Sequence, residues 1–205
     1  MKQSPLRLKR SPMSVVASTL LVLFFVGCGE SETNVQSGNR TGTLHWGNGT
    51  EPQTLDPHIA TGVPEHHIIG ALMEGLVLKD RDTLKPIPGM AKAWTISDDG
   101  RVYTFTLRDN ARWSNGDVLN AHDFVWSWWR ALQPKLGNLY AYMHFPIANA
   151  RQYYQGDIED FSEVGVVAID DLTLQVTLEN PTPYFLQLLD HYSLFPVHRA
   201  SIEQH

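Results

Sequence analysis

The chain has 205 residues, with 16 Lys and Arg against 22 Asp and Glu, a formal charge of −6, and 42% hydrophobic residues. That apolar share is enough for a packed core in one or two domains. The acidic balance with no basic patch argues against a nucleic-acid partner. Cys28 is the single cysteine, so a disulfide within the chain is excluded.

Lys2, Arg7, Lys9 and Arg10 precede an apolar run over residues 15–26, broken only by Ser18 and Thr19. Positive charge, a short apolar run and a small residue, in that order, predict an export signal over residues 1–27. The run is shorter than the roughly 20 residues that a membrane-spanning helix needs; a core helix or a membrane anchor is the alternative. Phe25-Val26-Gly27-Cys28 resembles a bacterial lipobox, with Phe where Leu is usual. The resemblance implies that Cys28 becomes a lipid-modified first residue and ties the chain to a membrane; an ordinary signal cut near Gly27 is the other reading. Cleavage before Cys28 leaves twelve basic residues against twenty-two acidic ones, a net charge of −10.

Residues 28–43 are rich in Ser, Glu, Asn, Gly and Thr, which predicts a flexible tether. Residues 44–46 form a candidate strand ended by Gly47-Asn48-Gly49. A helix is expected over 64–74, with Pro64 in its first turn, Ile68, Ile69, Leu72 and Met73 on one face, and Gly75 ending it. Residues 76–79 are a candidate strand. Trp94-Thr95-Ile96, the turn Ser97-Asp98-Asp99-Gly100 and the alternating run over 102–107 predict a β-hairpin. Asn120 is placed to cap a helix reaching about Leu132, with Asp123 as its capping-box partner and Phe124, Val125, Trp128, Trp129 and Leu132 as its apolar face. A weaker helix follows over 151–155. The runs 164–169 and 172–178, joined at Asp170-Asp171, predict a second hairpin, and a short helix spans 184–189. Such a mixture of hairpins and helices indicates a mixed α+β or α/β body. The last residues, 201–205, read as an interruption.

Side chains with chemistry are scattered. His58, His66 and His67 lie near Asp56 and Glu65, but His66 and His67 are adjacent and point apart on a helix, so surface histidines are favoured over a metal site. Asp98-Asp99-Gly100 lacks the alternating ligands of a calcium loop. Asp117, His122 and Asp123 could serve acid–base chemistry, yet no nucleophile elbow or phosphate loop accompanies them. No catalytic residue, metal or cofactor is assigned. Trp128 and Trp129 are expected in the core, whereas Trp126 is open.

Two stretches carry a family resemblance. One is Asn48-Gly49-Thr50-Glu51-Pro52-Gln53-Thr54-Leu55-Asp56-Pro57 with Glu74-Gly75-Leu76. The other runs from Pro88-Gly89-Met90-Ala91 through Trp94-Thr95-Ile96-Ser97-Asp98-Asp99-Gly100, Tyr103-Thr104-Phe105-Thr106-Leu107-Arg108 and Trp113-Ser114-Asn115-Gly116-Asp117 to Ala121-His122-Asp123-Phe124. From about residue 44 to 205 the chain resembles the N-terminal portion of bacterial extracellular solute-binding proteins of family 5, and among them the oligopeptide-binding proteins of ABC importers.

The resemblance implies a periplasmic-binding-protein type II-like fold of two lobes. Residues 44–73 would be the start of lobe I, residues 74–197 its extra subdomain and residues 198–205 the return into that lobe. It implies an oligopeptide ligand, ABC permease subunits as partners, a monomer, and an exported, lipid-anchored location on the periplasmic or cell-surface side. Ligand-binding residues would be Thr61, Gly62 and Val63, an extended segment beside the peptide, and Tyr140. Thr61 stands where members of the family carry an acid, and Tyr140 has ordinary packing as its alternative. Main-chain pairing would suit a receptor for varied peptides, because it holds what all peptides share. The family's carboxylate for the peptide α-amino group has no counterpart here. Rival readings are a dipeptide, nickel, haem, opine or sugar ligand, and a secreted metal-dependent hydrolase using Glu65, His66 and His67.

Overall fold

A computed structural model describes residues 31–204. The predicted export signal and Cys28 lie outside the described residues. The chain divides into two compact units, one up to Gly47 and one from Asn48.

In the first unit the stretch expected to be a flexible tether contains a helix, α1 (Asn34–Thr41). The reason is local: Thr33 and Gln36 form a reciprocal capping box, and Gly42 closes the helix in a left-handed conformation at φ 70°. Arg40 adds an ion pair to Glu32 at 2.8 Å. The strand expected over 44–46 does not form.

The second unit is built on a four-stranded antiparallel sheet. Its strands are β3 (Ala91–Ile96), β4 (Val102–Leu107), β5 (Val166–Asp170) and β6 (Thr173–Thr177), in the order β3-β4-β6-β5. Both predicted hairpins are present. In the first, the Gly100 N–H donates to the Ser97 carbonyl at 2.8 Å, and Gly100 takes φ 70°, a value that a side chain disfavours. The two hairpins then pair through β4 and β6, with Tyr103 opposite Val176 and Phe105 opposite Leu174. The alternation does the rest. Tyr103, Phe105 and Leu107 are buried on one face with Leu174, Val176 and Leu178.

Helix α3 (Ala121–Ala131) packs on β5 and β6. Its N-terminus carries the expected capping box: the Asn120 side chain accepts from the His122 N–H, and Asp123 accepts from the Asn120 N–H at 2.9 Å. Phe124, Trp128 and Leu132 are fully buried, each worth about 1.5–3 kcal/mol of apolar burial. Trp129 departs from the expected face. It is 36% exposed and leans on Trp126, with ring centroids 6.0 Å apart.

Smaller elements surround this core. Helix α2 (Val63–Leu72) begins one residue early and stops before Gly75, because Met73 is already extended at ψ 160°. Of its expected apolar face only Ile69 is buried, and Leu72 is exposed. Strands β1 (Val77–Lys79) and β2 (Pro86–Pro88) form a separate ribbon. β2 was not expected, since Pro at both ends argues against a strand; a two-stranded edge tolerates the missing donors. Helix α4 (Ala150–Gln155) ends at Gly156 as expected, α5 (Phe185–Leu188) is short, and α6 (Arg199–Glu203) was not foreseen.

Candidate functional site

The loop over residues 55–62 links the first residues of the second unit to α2. Pro57 and Ala60 are its buried apolar residues, and polar contacts fix the rest of its shape. Asp56 and Arg130 of α3 form a bidentate ion pair, Nη1 to Oδ1 at 3.1 Å and Nη2 to Oδ2 at 2.6 Å. Their side chains are only 18% and 13% exposed. The same Arg130 Nη1 donates to His58 Nδ1 at 2.9 Å. On its other side His58 Nε2 lies 3.0 Å from the Phe195 carbonyl.

This arrangement decides the tautomer of His58. A guanidinium can only donate and a carbonyl can only accept, so Nδ1 is bare and Nε2 carries the proton. Burial pushes the His58 pKa down to about 4, and the Arg130 charge adds to that against the Phe195 hydrogen bond and Asp56. For Asp56, burial raises the pKa, but the Arg130 hydrogen bonds, the His58 N–H and the guanidinium charge outweigh it and hold the carboxyl below its ordinary range. His58 was expected at the surface; it is fully buried. Its partner in α3 lies 72 positions away, a separation that no local pattern reveals.

The loop ends at a cluster of aromatic rings. The Tyr192 hydroxyl donates to the Ala60 carbonyl at 3.1 Å in a buried position. Burial, with Tyr140 close by, pushes the Tyr192 pKa up to about 12, so it stays a donor. The Tyr140 hydroxyl reaches the Thr61 carbonyl at 3.5 Å, a long contact, on an exposed face. The structure thus brings two of the sequence-expected residues together. Tyr140 is itself held in place: its N–H donates to the Asn138 side chain at 2.9 Å, and buried Asn138 donates to the Ala131 carbonyl at the end of α3 at 3.0 Å. His191 and Tyr192 pack against the Tyr140 ring, at 4.7 and 5.9 Å between centroids.

Gly62 and Val63 fit the expected extended segment less fully. Gly62 is extended, with φ −95° and ψ 160°, but Val63 is the first residue of α2 and its side chain is exposed. The reason for glycine is a side chain: a Cβ at position 62 would lie 2.0 Å from Glu65 Oε2. Glu65 is buried and accepts from the Gln53 N–H at 2.7 Å. Together Arg130, Asn138, Glu65 and Tyr192 shape this region, and none was singled out from the sequence for that role.

The remaining candidates are dispersed. His66 and His67 are exposed on α2, with ring centroids 6.1 Å apart. His122 lies 3.5 Å from Asp171 and Asp117 lies 2.9 Å from His198. Among the described residues no group of three or more His, Cys, Asp or Glu could hold a metal ion. A cavity of about 860 Å³ borders the start of the same loop, lined by Leu55, Asp56 and Pro57 with Met73, Trp113 and Ile202 among others; it does not include residues 61–63 or Tyr140.

An antiparallel sheet covered by one helix, with an aromatic cluster beside the loop that leads into α2, defines a mixed α/β fold. Comparison with known proteins makes this specific. Residues 85–204 match the model of bacterial extracellular solute-binding proteins, family 5 Middle. The chain belongs to that family.

It is 41% identical over 196 residues to the periplasmic oligopeptide-binding protein OppA of Escherichia coli K12, covering 93% of this chain and 36% of OppA. It is 40% identical over 155 residues to the periplasmic murein peptide-binding protein MppA of the same organism, covering 75% of this chain and 28% of MppA. Among solved structures, the unliganded open form of MppA superposes with a TM-score of 0.72 at 39% identity, covering 76% of this chain and 30% of that one. Haemophilus influenzae OppA in complex with RPPGFSPFR gives 0.71 at 40% identity, covering 77% and 31%. The mixed α/β fold therefore matches the type II periplasmic-binding kind. The chain spans about a third of the length of the curated relatives it matches.

Proposed function

We propose that this chain is part of a receptor that captures oligopeptides outside the cytoplasm and delivers them to an ABC permease, with no catalysis of its own. The observation that carries the reading is the meeting of Tyr140 with the Thr61 carbonyl on an exposed face of a family 5 fold. Exposed Thr61 and the extended backbone at Gly62 offer main-chain groups to a peptide, and aromatic rings beside them offer a wall for varied side chains. Relatives named for oligopeptides and murein peptides support the ligand class.

On this reading residues 44–73 begin lobe I, residues 74–197 form its extra subdomain and residues 198–205 return to it. Thr61, Gly62, Val63 and Tyr140 line one wall of the peptide site. The rest of the cage, including the carboxylate for the peptide α-amino group, would come from chain beyond this portion, so residues 28–205 alone should bind tri- to pentapeptides weakly or not at all. Isothermal calorimetry measures this, and tight saturable binding would refute the divided cage. For a full-length version, mass spectrometry of co-purified ligand should find peptides; stoichiometric nickel or haem would replace the peptide reading.

The same proposal makes residues 1–27 an export signal and Cys28 a lipid anchor for a monomeric receptor. Cys28→Ser should move the mature protein from the membrane to the soluble fraction on cell fractionation. A variant that stays membrane-bound would remove the anchor.

A further inference from the structure

We infer that Arg130 and His58 act as a positioning clamp: helix α3 of the sheet unit holds the loop over residues 56–60, and so sets the place of the Thr61 main chain that faces the ligand. The inference rests on the reading of Thr61 and Tyr140 as ligand-facing residues. It concerns residues that touch no ligand in that reading.

The argument is one of connectivity. The loop has three anchors from two parts of the chain, one on α3 and two on the turn at Tyr192–Phe195. Arg130 grips Asp56 in bidentate fashion and reaches His58 from α3. The Phe195 carbonyl takes the other face of the His58 ring. The Tyr192 hydroxyl takes the Ala60 carbonyl. Phe195 and Tyr192 are themselves joined, since the Phe195 N–H donates to the Tyr192 carbonyl at 3.0 Å. The next residue after this triply held stretch is Thr61.

Tyr140, the other ligand-facing residue, is fixed to the C-terminal end of the same helix through Asn138. One helix therefore sets both sides of the Tyr140–Thr61 contact. Arg130 governs Thr61 through the loop, and Asn138 governs Tyr140. A shift of the loop relative to α3 would part them, because a hydroxyl–carbonyl contact already at 3.5 Å has no slack.

The clamp is also sensitive to acid. A proton on His58 would have to go to Nδ1, the atom that accepts from Arg130. Donor would then face donor and cation would face cation. The charged and titratable groups around His58 are Asp56 on its own loop, Arg130 on α3, and His144 from the 3-10 turn Ala141–His144, with His191 beyond. His144 is fully buried and also resists charging, so it offers no compensation.

Amide hydrogen exchange on the chain tests the clamp without any ligand. The Ile59 and Ala60 N–H groups both donate to the Asp56 carbonyl and report on the loop. The amides of Tyr103 and Phe105, on β4, report on the sheet. Arg130→Lys keeps the charge but loses the planar fork. It should lower protection at Ile59 and Ala60 by about tenfold, the factor that corresponds to a coupling of about 1.4 kcal/mol. The two β4 amides should stay within about twofold.

His58→Gln keeps an acceptor for Arg130 and a donor for Phe195 yet cannot gain a proton near pH 4. It should abolish the loss of loop protection that the parent shows as pH falls through that value. In a full-length version Arg130→Lys should weaken binding of trialanine about tenfold by the same coupling. Unchanged protection at Ile59 and Ala60, or an equal loss at Tyr103 and Phe105, would overturn the clamp. If the parent full-length protein does not bind trialanine, the peptide reading fails, and the exchange result still decides whether the loop is held this way.

Discussion

The sheet with helix α3 and the loop over residues 55–62 are held by opposite means. The sheet unit buries Phe105, Leu107, Phe124, Trp128, Leu174 and Leu178 completely, and apart from the indole N–H of Trp128, which donates to the Leu194 carbonyl, their contacts are non-directional and shared among many neighbours. The loop has three polar anchors, each with one geometry: Arg130 on Asp56 and His58, the Phe195 carbonyl on His58, and the Tyr192 hydroxyl on the Ala60 carbonyl. A core of the first kind loses stability in proportion to what is removed. A network of the second kind fails at whichever member changes its hydrogen-bonding role. The second kind stands where the ligand is proposed to bind, and there a defined geometry matters more than resistance to change.

Acid should separate the two regions most sharply. His58 and His144 are buried, and burial pushes their pKa values from the ordinary 6.5 down to about 4 and about 3. Between these values and 6.5 the unfolded chain binds protons that the folded chain refuses. Stability is therefore fully present above pH 6.5 and falls as pH drops, at about 1.4 kcal/mol per pH unit for each group. By pH 4 the two together cost about 6 kcal/mol. Asp56, whose carboxyl is held below its ordinary range, acts in the same direction at lower pH still. Urea denaturation at a series of pH values reads this out. A His58→Gln, His144→Gln double variant should lose most of the slope from pH 6.5 to 4 and keep only the part that His191 contributes, since burial lowers its pKa too; an unchanged slope would assign the acid sensitivity elsewhere.

The contrast also explains what the sequence could tell. The hairpins announced themselves through Asp-Gly and Asp-Asp turns flanked by strict alternation, and α3 through Asn120, Asp123 and the spacing of Phe124, Trp128 and Leu132. These signals are local and periodic, so a single pass along the chain finds them. The anchors of the loop are not. Arg130 sits among the polar residues of α3, 74 positions from Asp56, and nothing near it marks it as buried. His58 looked like a surface histidine because its partners come from α3 and from Phe195. The family resemblance supplied Thr61 and Tyr140, which the fold brings together, but it could not show that Val63 already belongs to a helix. In the first unit a polar composition suggested a flexible tether, and within that stretch Thr33, Gln36 and Gly42 carry enough local capping for α1.

Trp128→Ala is the next test in size. It empties the largest fully buried side chain and removes the indole hydrogen bond to the Leu194 carbonyl at 2.9 Å. The expected cost is about 3–5 kcal/mol in urea denaturation, spread over the whole sheet unit as a shift of one cooperative transition. A loss confined to the segment around Leu194 would show that the core is less shared than its packing implies.

Gly62→Ala acts on the loop side. The added methyl meets the end of the Glu65 side chain, which is movable, so the backbone need not break. Glu65 must then give up its bond from Gln53, a charge-assisted contact worth about 1.5–3 kcal/mol. Thermal denaturation should show a loss near the lower end of that range, and Gly62→Ala combined with Glu65→Ala should cost no more than Glu65→Ala alone. An additive double variant would mean that glycine is required at position 62 for a different reason.

The smallest effect belongs to a cap, and it shows how the two modes meet in one helix. Asn120→Ala removes the acceptor for the His122 N–H, and leaves Asp123 without its reciprocal partner although its own bond from the Asn120 N–H can persist. The expected loss is about 1 kcal/mol in urea denaturation. The cap lies at the N-terminus of α3, and Arg130 lies in its last turn. Fraying at the first turn leaves Phe124 and Trp128 packed on the sheet, so the helix should keep its place and the loop should keep its clamp. Exchange protection at Ile59 and Ala60 should therefore be unchanged in Asn120→Ala, while global stability falls. If loop protection falls in step with the cap, the helix transmits strain along its length, and the two regions are one cooperative body joined through α3.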